Sequence, residues 1–251
     1  MRNPLLFLGI LTLGSPYALA ACGSSVDTVA PLVARDAGPD TGSPELVTQS
    51  GTVVDFQSQQ PIVGATVAAA GETATTDATG TYSFTVQAGV PYTVTASAPG
   101  YGTMVQEERS IEADEADGKM NLVSTAQSSL LAEALDGYDA NLGVLSVGLF
   151  PTGSCASADG ATISVSPPGA ARVTYWMNGA PSPSQTSVHF DTFPAAIVYN
   201  VQPGVPLTLT VTSPTCTQVP FPTVQGPIRY TGRGIEAQAD GASTYVALFL
   251  Q

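Results

Sequence analysis

The stretch TDATGTYSFTV, residues 76–86, decides the fold class. Asp77-Ala78-Thr79-Gly80 can form a hairpin turn, with Gly80 free to take a positive φ, a conformation closed to most side chains. Beyond the turn, Tyr82 and Phe84 stand two residues apart with Ser83 between them. A period of two sends one set of side chains into a core and the other into water, which is a strand and not a helix.

The same grammar extends to both sides. LVTQSGTVVDF from Leu46, IVGATVAAA from Ile62, PYTVTASA from Pro91 and TMVQEERSI from Thr103 are short alternating runs. SQQP, QAGVP and APGYG separate them, a turn signal about every ten residues, which predicts a β-sandwich over βαβ units. Pro61 and Gly64 shape the entry to the second strand, and Ala65 and Val67 alternate onto its core face.

In order, Gly51-Thr-Val-Val-Asp55, Pro61-Ile-Val-Gly64-Ala65-Thr-Val67, Thr76-Asp77-Ala-Thr-Gly80-Thr-Tyr82-Ser-Phe84 and Gly100-Tyr101 resemble a carboxypeptidase regulatory-like domain. The resemblance implies a prealbumin-like (transthyretin-like) β-sandwich over residues 45–111. It also implies an accessory module, because the metallocarboxypeptidase catalytic domain is missing from the chain.

The remaining segments complete an all-β plan. EADEADGK, residues 112–119, is expected to be an acidic, exposed link, and the linker runs to residue 140. An EF-hand register around Asp117-Gly118 would need acids where Ala113 and Ser124 stand, so it fails. SSLLAEAL, residues 128–135, is a short helical run with Leu130, Leu131 and Leu135 at helical spacing, stopped by Asp136-Gly137 and expected to cap an edge or end of a sandwich. Residues 141–251 hold GVLSVGLF, DGATISVSP, RVTYWMNG, AAIVYNVQPG, VPLTLTVTSPTC and STYVALFLQ, and resemble a second, diverged copy. The expected fold is therefore a tandem of prealbumin-like β-sandwiches.

Ahead of these domains, residues 1–21 form a signal peptide. Arg2 is its basic end, Leu5 to Leu13 its apolar core and Ala18 to Ala21 its small-residue cleavage zone, too short and broken to span a bilayer. Leu19-Ala20-Ala21-Cys22 resembles a bacterial lipobox. That resemblance implies lipidation of Cys22, palmitate-type acylation included, and a membrane anchor; Gly23 after the cysteine implies the outer membrane. An ordinary secretory leader with a coincidental cysteine is the alternative. Residues 22–44 are rich in Gly, Pro, Ser and Asp and form a flexible tether.

Charge and cysteine count narrow the partners. Twenty acids face seven bases, net −13, and Lys119 is the single lysine. Nucleic acid is excluded as a partner, since phosphates need Lys and Arg. Charged residues are only 11% against 43% hydrophobic ones, too few for a disordered chain. With Cys22 lipidated, Cys155 and Cys216 remain as a pair in an oxidising compartment. A bridge between them is expected, with two separate buried thiols as the alternative.

Catalytic patterns are absent from the sequence. His189 is the only histidine, no HExxH or G-x-S-x-G occurs, and His189 beside Asp191 reads as a surface pair. Glu107 and Glu108 are adjacent on a strand and face opposite sides. No enzyme activity, cofactor or metal is expected. Binding is the better class: a non-catalytic envelope lipoprotein that binds or scaffolds an envelope protein or polysaccharide. Trp176, the only tryptophan, and Tyr175 beside it are the candidate contacts. An outward Trp176 would suit a carbohydrate platform; the alternative puts Trp176 in the core and Tyr175 at the rim.

Overall fold

In the computed structural model, the described residues are 44–177, 180–189, 195–238 and 242–251. The leader, Cys22 and most of the tether lie outside them, as does Asp191. Residues 43–251 cluster as one compact unit.

The first seven strands are β1 (Leu46–Asp55), β2 (Thr66–Ala69), β3 (Glu72–Thr75), β4 (Thr81–Gln87), β5 (Tyr92–Ser97), β6 (Met104–Ile111) and β7 (Glu115–Leu122). After the helix α1 (Thr125–Ala134) come β8 (Gly143–Pro151), β9 (Thr162–Ser166), β10 (Arg172–Met177), β11 (Ala180–Ser182) and β12 (Ala195–Val201). The chain closes with β13 (Thr208–Thr212), β14 (Thr223–Gln225), β15 (Ile228–Tyr230) and β16 (Ser243–Leu250). Among the described residues the fold is all-β with one helix. Among the described residues no helix is long and apolar enough to cross a membrane.

Alternation does what the sequence predicts. Along β4, Tyr82, Phe84 and Val86 are buried while their neighbours are exposed. Gly80 has φ 73°, and its N–H donates to the Asp77 carbonyl at 3.0 Å. The turn joins β3 to β4, which belong to different sheets. It therefore carries the chain between layers instead of closing a hairpin, because β3 pairs with β2 and β4 with β1. Ala65 and Val67 are fully buried, as expected.

Among the described residues two main cores form, one per half, beside two smaller clusters around Trp176 and Phe249. The layer β4-β1-β7 covers the N-terminal core, which includes Val53, Val67, Val94, Met120 and Leu122. The pair β13-β9 covers the C-terminal core, which includes Leu145, Val147, Leu209 and Leu248. The opposite layer is shared: one sheet runs β11-β10-β12-β8-β16-β6-β5-β2-β3 through both halves. The final strand makes the join. β16 pairs in parallel with β8 over eight residues and with β6 over Met104 to Gln106.

The acidic segment needs correction. Residues 112–119 were expected to be an exposed link, but Glu115–Leu122 is β7, parallel to β1. Met120 and Leu122 supply the apolar side chains that pay for its burial. Gly51 and Gly118 permit the close approach of the two strands: a Cβ on Gly51 would fall on the Gly118 carbonyl oxygen. Gly51→Ala should therefore cost about 3 kcal/mol of stability, the scale of overpacking against fixed backbone. Urea unfolding measures it, and an unchanged midpoint would refute the close packing.

The helix starts earlier than its apolar spacing suggests, because Ser124 and Gln127 form a capping box. Gln127 N–H donates to Ser124 Oγ at 3.3 Å, and Ser124 N–H donates to Gln127 Oε1 at 3.0 Å. Leu131 and Leu135 turn inward while Leu130 is exposed. Cys155 and Cys216 are bridged, with Cα atoms 5.4 Å apart, tying the loop after β8 to the loop after β13.

Candidate functional site

Tyr175 and Trp176 point to opposite faces of β10, as adjacent strand residues must. Both faces are covered. Tyr175 enters the C-terminal core, where its hydroxyl accepts the Ile163 N–H at 2.9 Å. Trp176 lies under α1 among Leu135, Ile197 and Tyr199, its ring 5.5 Å from that of Phe56. With 8% of its surface exposed, Trp176 is not an exposed carbohydrate platform. Tyr175 is not a rim residue either. The helix makes the difference, since it roofs the face that the sheet pattern alone would leave open.

Beneath the helix, Phe56, Trp176, Leu131 and Val144 line an apolar cavity of about 120 Å³. Trp176 Nε1 is buried without an acceptor.

His189 lies apart from these groups. Its Nδ1 is 3.4 Å from Asp159 Oδ1, with both side chains more than half exposed. Among the described residues no three His, Cys, Asp or Glu side chains gather as metal ligands.

A second cleft, of about 410 Å³, opens where the shared sheet forks. β6 pairs with β16 up to Gln106, then with β15 from Arg109 onward. Between these points β6 carries one residue more than its partner β5, a β-bulge at Glu107-Glu108. A bulge breaks alternation and re-aims side chains. Here it buries Gln106, Glu107 and Arg109 together. Across the cleft, β7 has its own register shift against β1 just after Glu115. Glu115 is buried, while Asp117 and Lys119 stand exposed at the mouth.

The polar groups are held individually. Glu107 Oε1 accepts the Ala247 N–H at 2.8 Å. Arg109 donates from Nε to the Glu107 carbonyl at 3.4 Å, and its guanidinium sits 5.2 Å from the Tyr230 ring centre. Glu115 Oε1 accepts the Asp117 N–H at 2.8 Å. Behind them the Tyr92 hydroxyl donates to Gln49 Oε1 at 2.6 Å. Gln49 Nε2, Gln106 Oε1, Glu107 Oε2 and Glu115 Oε2 are buried with no partner.

Burial pushes the Glu107 carboxyl from 4.5 up to about 8, against the opposing pull of the Arg109 charge and the Ala247 N–H. Burial also raises Glu115, and it raises Tyr230 and Tyr245 on the facing strands. Folding therefore takes up a proton at Glu107 when the pH lies between 4.5 and about 8. Stability falls as pH rises through that window and levels off above it. Glu107→Gln keeps an acceptor for the Ala247 N–H and cannot ionise. At pH above the window the variant should exceed the natural chain by about 3 kcal/mol, with the gap closing in acid. Thermal unfolding across the pH series measures this, and parallel curves would remove Glu107 as the cause. Glu115 contributes in the same direction in both proteins.

None of this cluster was singled out as a site from the sequence. The available signal was QEER, residues 106–109, a polar run inside a strand whose ends Met104 and Ile111 are core residues. In EADEADGK, Glu115 is indistinguishable from its exposed neighbours.

No curated protein matches the chain. Among solved structures, the TIE protein of Bacillus anthracis is similar at 11% identity and TM-score 0.28, over 81% of this chain and 34% of that one. The chain thus spans about a third of that protein's length. The major pilin of Streptococcus pyogenes is similar at 10% identity and TM-score 0.24, over 83% and 99% of the two chains. The shaft pilin SpaA of Lactobacillus rhamnosus GG gives 9% identity and TM-score 0.25, over 83% and 98%. The strands from Leu46 to Leu122 are similar to a carboxypeptidase regulatory-like domain, whose family model matches residues 48–123.

Proposed function

We propose that the chain is a non-catalytic cell-envelope lipoprotein, lipid-anchored through Cys22 at the outer membrane, whose β-sandwich unit binds or scaffolds another envelope component. One observation carries the reading. Cys155 and Cys216 bridge each other, so the third cysteine, Cys22, directly follows the Leu19-Ala20-Ala21 leader end and has no cysteine left to pair with. A disulfide suits an oxidising compartment, which is where such a leader directs a chain. The match of residues 48–123 to an accessory-type domain supports a binding role over catalysis.

Metabolic labelling with a palmitate analogue in a Gram-negative host tests the anchor. Label and membrane fractionation are expected for the natural chain, with both lost in Cys22→Ser. An unlabelled, freely released natural chain would overturn the anchoring. Crosslinking in intact cells then tests for an envelope partner, and absence of any specific adduct would count against scaffolding.

A further inference from the structure

Arg109 and Glu115 are both almost fully buried and line the same cleft from facing strands, β6 and β7. They do not pair. Among the described residues the ion pairs are Arg172–Asp136 and His189–Asp159. Buried charges are ordinarily paired, because leaving water is costly for each ion. The cleft therefore presents a positive pole and a negative pole with space between them. Two buried acceptors on its wall, Gln106 Oε1 and Glu115 Oε2, also lack donors. The volume, about 410 Å³, is in the range of small-molecule pockets.

These features restrict the ligand. A simple anion would match Arg109 but leave both acceptors without donors. A simple cation would serve the acceptors and crowd the guanidinium. A molecule carrying both charges answers every group at once. Ile228, Tyr230 and Phe249 add an apolar and aromatic wall beside the polar one. We propose that the cleft binds a small zwitterion of the amino-acid class, its carboxylate on Arg109, its ammonium on Glu115 Oε2 and Gln106 Oε1, and an apolar side chain against Ile228 and Phe249. Glu107 has no part in the recognition, being turned to the Ala247 N–H. The site is independent of the anchor at Cys22.

Titration calorimetry on the purified full chain tests this with four probes: leucine, phenylalanine, N-acetylleucine and leucinamide. Leucine and phenylalanine should bind saturably at one site. N-acetylleucine, which lacks the ammonium, and leucinamide, which lacks the carboxylate, should each bind about tenfold more weakly than leucine or worse, the scale of losing one partner of a buried charge pair. Glu115→Gln should weaken leucine by about tenfold and leave N-acetylleucine unaffected, a difference that a merely structural role would not produce. No saturable binding of any probe, or equal binding of blocked and free forms, would overturn the proposal. Should Glu115→Gln fail to fold, the four probes on the natural chain decide alone.

Discussion

Ending the chain at Ala242 should abolish the C-terminal core. The lost strand, β16, is the last in sequence but interior in the sheet, flanked by β8 on one side and β6 on the other. Val246, Leu248 and Leu250 are all completely buried in the C-terminal core. Truncating a buried aliphatic side chain costs roughly 2–4 kcal/mol, and a whole domain has only about 5–15 kcal/mol to lose. Three such losses, together with the pairing to β8, exceed that margin. The N-terminal half should suffer differently. Its core is built from residues 47–122, with Tyr245 only packed against it. Removing β16 would uncover Glu107 and open the fork while leaving β1–β7 paired. Hydrogen exchange should show protection lost across β8, β9, β12 and β13 and largely retained in β1, β4 and β5. Protection retained in both halves would mean that β16 is not the keystone its position implies.

Removing the disulfide should produce the second large effect. The bridge closes a loop of 61 residues that contains β9, β10, β11, β12 and β13. Constraining a loop of that size in the unfolded chain corresponds to about 4 kcal/mol in the chain-entropy model. The double variant Cys155→Ala/Cys216→Ala avoids leaving a polar atom where Cys155 is buried. Its urea midpoint should drop by an amount equivalent to that figure. A drop of less than about 1 kcal/mol would show that the unfolded chain already keeps the loop ends close without the bridge. Because one sheet runs through both cores, the natural chain should unfold in a single transition, and the double variant tests whether that coupling survives.

Much of the fold was legible because period-two patterns need no knowledge of distant partners. TYSFTV and VPLTLTV alternate so cleanly that their inward residues could be named from the text alone, and the Asp77–Gly80 turn follows from local chemistry. The two later cysteines could be paired by compartment and parity. The same local reasoning misjudged EADEADGK. Its acids suit a solvated loop, and nothing nearby reveals that Gly51, more than sixty positions earlier, leaves room for Gly118 to lie against it. It also left open which of Tyr175 and Trp176 faces outward: Trp176 is buried, as the core alternative had it, but Tyr175 is buried too, because both faces of β10 are covered by parts of the chain distant in sequence.

The candidate cleft belongs wholly to that second category. A bulge in β6, a register shift in β7 and the change of neighbour from β16 to β15 together collect Gln106, Arg109 and Glu115. Each is a long-range pairing event, and strand pairing is set by the burial of whole faces rather than by adjacent residues. Alternation, turns and the Cys155–Cys216 pair are written in short windows and survive being read in isolation. Which strands share a sheet, which face a helix roofs and which charges meet in a cleft depend on the simultaneous burial of residues far apart, and that is settled only when the chain packs.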